Sequence, residues 1–292
     1  MPVRDGLPFL DNAIDSIVSQ TLTDFVLVLV DDGSTDGTSE LLDSWAKRDR
    51  RIRIIHQEPS GHYAALNVGL ECCATDLVAR MDADDIAMPD RFKQQVAFLN
   101  ANPDVVAVGG QVIAIDADGD HLFSVPMPIK SDVIQRGLLS GQNGLTHPAV
   151  MYQRRVVIAA GGYEDESPSE DFGLWLRMLP LGKFANLDSV VLKYRLHANV
   201  SRISRHAVQR NHTLRLLEKA HAALGTPVPE LPPSYPPHGV ADIHHHWAMS
   251  AAAQGHWSAA RKHVLKSIEL NPMNAHAYWT FAKTCLRFRG FH

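Results

Sequence analysis

The sequence predicts an α/β protein: a doubly wound, mostly parallel sheet followed by an α-helical segment at the carboxyl end. Three observations carry this. Helical and strand patterns alternate, with short loops, through the first two thirds of the 292 residues. Phe25-Val26-Leu27-Val28-Leu29-Val30 is an uninterrupted apolar run, the pattern of a strand buried on both faces. Beyond residue 226 the pattern becomes wholly helical.

Each element follows in order. Leu10, Ile14, Ile17 and Val18 share one face of a helix near 7–20. The apolar strand 25–30 runs into Asp31-Asp32-Gly33-Ser34-Thr35-Asp36-Gly37-Thr38, a turn whose residues cap a helix near 38–48; Asp36 reads as a cap. A strand over Ile52–His56, a helix over Tyr63–Cys73 and a strand over Leu77–Met81 come next. Pro89 is expected in the first turn of the following helix, where its missing N–H costs nothing. Val105–Ile115 and Leu122–Val125 form a strand pair around Asp118-Gly119. Prolines between Pro227 and Pro237 mark a linker. The division expected is 1–205, a helix and proline-rich linker over 206–238, and a helical segment over 239–292. Its helices fall at 240–253, 257–270 and 274–288, and Gly255, Ala260 and Pro272 resemble the turn, packing and terminating positions of a tetratricopeptide repeat. Such a segment packs on the main domain or on a protein partner.

Composition narrows the function. Hydrophobic residues make up 45% and charged residues 21%, ordinary for a globular protein. A net charge of −4 gives no general attraction for nucleic acid or anionic membrane. Three cysteines, two of them adjacent, make neither a disulfide framework nor a zinc site, and a reducing cytoplasm is the compartment expected. No apolar run reaches membrane-spanning length. The basic end from Lys283 to Arg289, with Phe288 and Phe291, offers at most a peripheral membrane contact. His244-His245-His246 reads as helical histidines pointing different ways, since consecutive residues do not share a helix face.

The chemistry gathers at two acidic strand ends. Asp31 and Asp32 follow one buried strand; Asp82, Asp84 and Asp85 follow another. Parallel strands bring both to one edge of the sheet, where ligands of such sheets bind. Asp82 and Asp84, two apart, address one side of extended backbone. Paired carboxylates repel, so a cation near them is expected, and oxygen-only ligands suit Mg²⁺ or Mn²⁺. Asp is also common in turns after strands, the bland alternative.

Five segments in order resemble family 2 glycosyltransferases of GT-A fold. They are Pro2-Val3-Arg4-Asp5-Gly6, the 30–38 turn, Ala65-Leu66-Asn67-Val68-Gly69, Met81-Asp82-Ala83-Asp84-Asp85, and Ser169-Glu170-Asp171 with Leu174-Trp175-Leu176-Arg177. Tyr194-Arg195-Leu196-His197 resembles that family's histidine segment, and the resemblance covers about 1–205. It implies an inverting transfer of sugar from a nucleotide-sugar, a UDP-sugar by the family's habit, to a glycan or lipid-linked acceptor in cell-envelope synthesis. It implies Asp171 as general base with Glu170 beside it. Pro2, Arg4, Asp31, Asp32, His62 and Asp82 would bind the donor. Asp84, completed by His197, would hold Mn²⁺ or Mg²⁺. Gly141, Gly144, His147 and Pro148 would flank the acceptor, and Gly161-Gly162-Tyr163 the donor sugar. The pattern departs from the family at the start, where the apolar strand before the Pro-Val segment is absent, and at Arg4, where an aromatic is common. A nucleotidyltransferase is the enzyme alternative, but no glycine-rich basic phosphate loop occurs. A non-catalytic sugar-nucleotide or protein-binding module with a degenerate site is the other.

Overall fold

The structure is a computed structural model that describes residues 1–165, 168–198, 200–231 and 239–288, with backbone alone at 200–207 and 287–288. Most of the proline-rich segment (232–238) and the end of the basic tail (289–292) lie outside the described residues. In chain order the elements are β1 (Pro2–Val3), α1 (Leu10–Val18), β2 (Leu27–Asp32), α2 (Thr38–Arg48), β3 (Ile52–Gln57), α3 (His62–Cys72), β4 (Leu77–Ala79), β5 (Ile86–Ala87), α4 (Arg91–Ala101) and β6 (Val105–Ile115). β7 (His121–Val125), α5 (Ser131–Leu139), β8 (Met151–Gln153), α6 (Arg154–Ala159), α7 (Glu170–Met178), β9 (Lys183–Arg195) and α8 (Val200–Leu224) follow. The chain closes on α9 (Val240–Ala253), α10 (Trp257–Leu270) and α11 (Ala275–Phe288). Two compact units result, neither contiguous in sequence: Met1–Val112 with Pro126–Tyr194 and Asn211–Leu231, and Ile113–Val125 with Arg195–Arg210 and Pro232–His292.

The α/β class holds, with parallel pairing concentrated in a three-stranded sheet of order β1-β2-β3. A second sheet runs β4-β8-β6-β9-β5, with β7 beside β6; the pairs β4–β8, β6–β8 and β5–β9 are antiparallel. All six residues of β2 are buried, as its apolar run requires. α1 buries Leu10, Ala13, Ile14 and Ile17, a helical stripe. Asp36 does act as a cap, accepting from the Thr38 N–H (3.0 Å) and the Leu7 N–H (3.2 Å). Pro2 and Val3, the Pro-Val segment itself, form a short strand in register with Val30 and Asp31. One expectation is corrected. Pro89 lies before α4, which opens at Arg91; its carbonyl accepts from the Thr21 N–H instead.

The core of the first unit centres on α7. Phe172, Leu174, Trp175, Leu176 and Met178 are buried there, and Trp175 meets the rings of His147 and Phe184 edge-on. Withdrawing an indole from water stabilises on the order of 5 kcal/mol. That packing fixes the two acids at the start of α7.

The second unit holds α9–α11. Its three histidines do point apart: His244 pairs with His263 (2.8 Å), His245 with Thr280 (3.0 Å), and His246 faces Phe123. Gly255 takes the left-handed turn (φ 84°) and Ala260 is fully buried.

Candidate active site

The two acids that end β2 are both spent on their own chain. Asp31 accepts from the Ser34 N–H (3.1 Å), Ser39 Oγ (2.5 Å) and His56 Nδ1 (2.9 Å). Asp32 accepts from Gln57 Nε2 (2.7 Å), the Ser60 N–H (2.7 Å) and the Gly61 N–H (3.0 Å). Burial opposes ionisation of each carboxylate, but these hydrogen bonds outweigh it and hold both below the usual range. Asp31 therefore ties the 31–39 turn to β3, and Asp32 fixes the loop that starts α3. Arg4, half exposed, stands 3.9 Å from Asp32, and Pro2 is buried in β1.

From that loop a line of contacts crosses to β4. His62, the first residue of α3, receives a hydrogen bond from the buried Arg80 guanidinium (3.1 Å). Burial, then the Arg80 charge, lowers the His62 pKa, so its ring is neutral at pH 7 and accepts. The same Nη2 of Arg80 pairs with Asp82 Oδ1 at 2.7 Å. His62 Nε2 also lies 3.7 Å from Glu170 Oε1. The ends of β2 and β4 and the start of α7 thus meet around His62 and Arg80.

Glu170 and Asp171 form the first turn of α7. Burial raises both pKa values; the Arg80 charge works against the rise in both. Asn143 Nδ2 donates to Asp171 Oδ2 at 2.8 Å and fixes its direction. A carboxylate oriented in this way, made more basic by burial, is suited to take a proton.

Asp82, Asp84 and Asp85 each bring one oxygen within 4.8 Å of the others. Three carboxylates make a hard oxygen set of the kind that suits a divalent cation such as Mg²⁺ or Mn²⁺, and Arg80 pairs with Oδ1 of Asp82. Asp85 is fully buried, and its charge attracts the buried Arg91, which donates to the Arg80 carbonyl (2.7 Å). Asp85 thereby steadies the turn. A second acidic group, Asp116, Asp118 and Asp120 in the other unit, meets the same distance test. There Lys262 Nζ lies 2.6, 2.5 and 2.8 Å from the three carboxylates, and His263 Nε2 is 2.9 Å from Asp116.

His197 lies two residues past β9, within the second unit. Gly162 has a packing role in the fold. Asn67 takes the Tyr163 N–H (2.9 Å) and donates to its carbonyl (2.8 Å), and a Cβ on Gly162 would meet Asn67 Oδ1 at 2.8 Å. A Cβ on Gly141 would strike Leu231, so that glycine too is a packing requirement. His147 is buried against Tyr163 Oη (3.0 Å). Sequence reasoning missed Arg80, Asn143, Gln57 and Ser60. Only Arg80 had a signal: a charge next to the end of an apolar strand must find a partner when buried.

Residues 1–159 match the model of the family described as "Glycosyl transferase family 2". The chain is 35% identical over 189 residues, 64% of its length and 70% of the relative's, to the amylovoran biosynthesis glycosyltransferase AmsE of Erwinia amylovora. It is 31% identical over 193 residues to the O-antigen biosynthesis glycosyltransferase WbnJ of Escherichia coli, covering 65% of this chain and 75% of that one. Among solved structures, the mannosyltransferase PcManGT of Pyrobaculum calidifontis, in complex with GDP-Man and Mn²⁺, aligns with a TM-score of 0.53. That alignment covers 98% of this chain and 83% of the other at 19% identity, a likeness of fold alone. Acid-bearing strand ends, an ordered carboxylate at the start of α7 and these relatives agree: the chain belongs to glycosyl transferase family 2.

Proposed function

We propose that the protein is an inverting, metal-assisted glycosyltransferase that moves a sugar from a nucleotide-sugar to an acceptor hydroxyl in glycan or cell-envelope polysaccharide synthesis. The observation that carries this reading is the line of contacts from Asp82 through Arg80 and His62 to Glu170, with Asp171 the next residue of α7. The acceptor's O–H loses its proton to Asp171 as that oxygen bonds to the anomeric carbon, and the bond from that carbon to the diphosphate breaks. Bound at Asp84 and Asp82, Mn²⁺ or Mg²⁺ would supply Lewis-acid stabilisation of the departing diphosphate. Arg80 keeps Asp82 in place and, through its charge, favours the ionised Asp171. Arg4 adds positive charge beside the donor, and Asp31 and Asp32 shape the nucleotide pocket; Asp32 reaches the base through the loop it organises. A uridine nucleotide is the donor base implied by the sequence resemblance.

The names of the two relatives, in amylovoran and O-antigen biosynthesis, support a glycan acceptor, free or lipid-linked. Free thiols at Cys72, Cys73 and Cys285 suit a reducing cytoplasm. Among the described residues no helix is long and apolar enough to cross a membrane. In the second unit the exposed Met273, Trp279 and Leu286 suit a protein partner. Transfer and hydrolysis assays with UDP-, GDP- and dTDP-sugars, with and without Mn²⁺, test the reading. Metal-stimulated turnover of one nucleotide class supports it; no binding of any donor contradicts it.

A further inference from the structure

The loop that carries Asn143 is tied down by a residue of the sheet. Asn186, on β9, is 1% exposed. Its Nδ2 donates to two backbone carbonyls, those of Pro128 and Gly144, each at 2.8 Å. Pro128 precedes α5 and Gly144 follows it, so one buried side chain joins the two ends of that segment. All these residues belong to the first unit.

From Gly144 the connection reaches the candidate base. Asn143, the preceding residue, accepts at Oδ1 from the Leu145 N–H (3.2 Å) and donates from Nδ2 to Asp171 Oδ2 (2.8 Å). Asn143 is exposed, whereas Gly144 and Leu145 are buried. An exposed amide keeps one direction only when the backbone next to it is fixed, and Asn186 fixes the Gly144 carbonyl. The Pro128 end has a second tie, from Gln111 to the Met127 N–H (2.8 Å) and carbonyl (3.2 Å). Loss of Asn186 should therefore loosen the Gly144 end more.

Asparagine is a costly residue at this place. Its Oδ1 is buried and has no hydrogen-bond partner among the described residues, which lowers stability. Leucine has nearly the same shape without that cost. The neighbouring strand makes room for the amide: a Cβ on Gly109 of β6 would strike Asn186 Oδ1. With both Nδ2 hydrogens given to carbonyls and Oδ1 against Gly109, the amide has one orientation.

We propose that Asn186 is a positioning residue for sugar transfer: seated against Gly109, it holds the Gly144 carbonyl and, through Asn143, sets the direction of the Asp171 carboxylate. This rests on the reading of Asp171 as the base.

The test uses the full chain, with ¹⁵N in the asparagine amides and ¹³C in the aspartate carboxyls, read by NMR. Asn143→Ala and Asp171→Asn identify the two signals by their loss. Asn186→Leu keeps the shape, Asn186→Ser leaves a gap, and Gly109→Ala displaces the amide without changing it; one folded variant of the three suffices. We expect the Asn143 side-chain amide to lose its hydrogen-bonded shift. The Asp171 carboxyl should titrate at higher pH, because the Asn143 hydrogen bond helps to hold its pKa down. Adding Asn143→Ala should move that titration no further than Asn143→Ala does alone. Turnover of the UDP-, GDP- and dTDP-sugars should show kcat lower by about 10- to 100-fold, with KM for the donor within about twofold. Unmoved Asn143 and Asp171 signals in a folded variant would overturn the proposal. Full turnover in Asn186→Leu, with turnover lost in Asp171→Asn, would overturn the role of Asn186 alone. Full turnover in Asp171→Asn would overturn the reading of Asp171 beneath it.

Discussion

Two acidic triads of similar spacing, Asp82-Ala83-Asp84-Asp85 and Asp116 to Asp120, each gather carboxylate oxygens within 4.8 Å of one another. Their surroundings separate them. Around Asp116, Asp118 and Asp120 a lysine reaches all three acids and a buried histidine reaches the most buried one, so each carboxylate already has a partner within the protein. Around Asp82 and Asp85 two buried arginines stand by: Arg80 holds one oxygen of Asp82 and also serves His62, which lies 3.7 Å from Glu170, and Arg91 faces Asp85. The first arrangement is a staple between a β-turn and α10; at the second we propose a ligand. Proximity of carboxylates is thus no sign of a metal until the side chains that already hold them have been named.

The largest expected effect sharpens the active side of this contrast. Asp171→Asn should lower the transfer rate by about 10²- to 10⁴-fold, the range for losing a general base, with donor affinity kept. Steady-state kinetics and nucleotide titration check it; donor affinity lost along with rate would refute the assignment. Arg80→Met comes next. Removing that charge lets the Asp171 pKa climb further, so the acidic limb of the kcat/KM profile should move to higher pH, and Arg80→Lys should restore most of it. An unmoved limb with a lower melting temperature would leave Arg80 a packing role only.

On the closed side, Asp116→Asn should cost about 1–3 kcal/mol of stability, measured by urea unfolding, without changing nucleotide affinity. Burial works against the Asp116 charge, but His263, Lys262 and the Asp120 N–H hold its pKa far below the ordinary 3.8. Its contribution is therefore complete above that ordinary value and is lost as the pH falls below it. In the variant that acid-side loss should shrink. The smallest effect is Asp36→Ala, which removes a cap from α2 and should cost about 1 kcal/mol with transfer unchanged.

Much of the site was legible because apolar runs announce where strands end, and the acids after 30 and 81 sit at those ends. The use each acid is put to was not. Asp31 and Asp32 look in sequence like ligand-binding acids, yet their oxygens are taken by Ser39, His56, Gln57 and the 60–61 backbone, donors that only folding brings near. Asn143 reaches Asp171 across 28 residues, and no local pattern records that. The glycines before Tyr163 read as room for a sugar; at Gly162 the structure adds a second reason, since a Cβ there would meet Asn67, 96 residues away from Tyr163. Helices 240–253 and 257–270 were read to the residue because their turn glycine and apolar spacing are local signals.

The comparison of the two triads is settled by a Mn²⁺ titration in the presence of donor nucleotide, followed by the metal's paramagnetic resonance, on the unmodified protein, Asp84→Ala and Asp118→Ala. Binding should be lost in Asp84→Ala and unchanged in Asp118→Ala. Retention in Asp84→Ala with loss in Asp118→Ala would show that the metal sits in the lysine-bound triad and that the active site has been placed at the wrong acids.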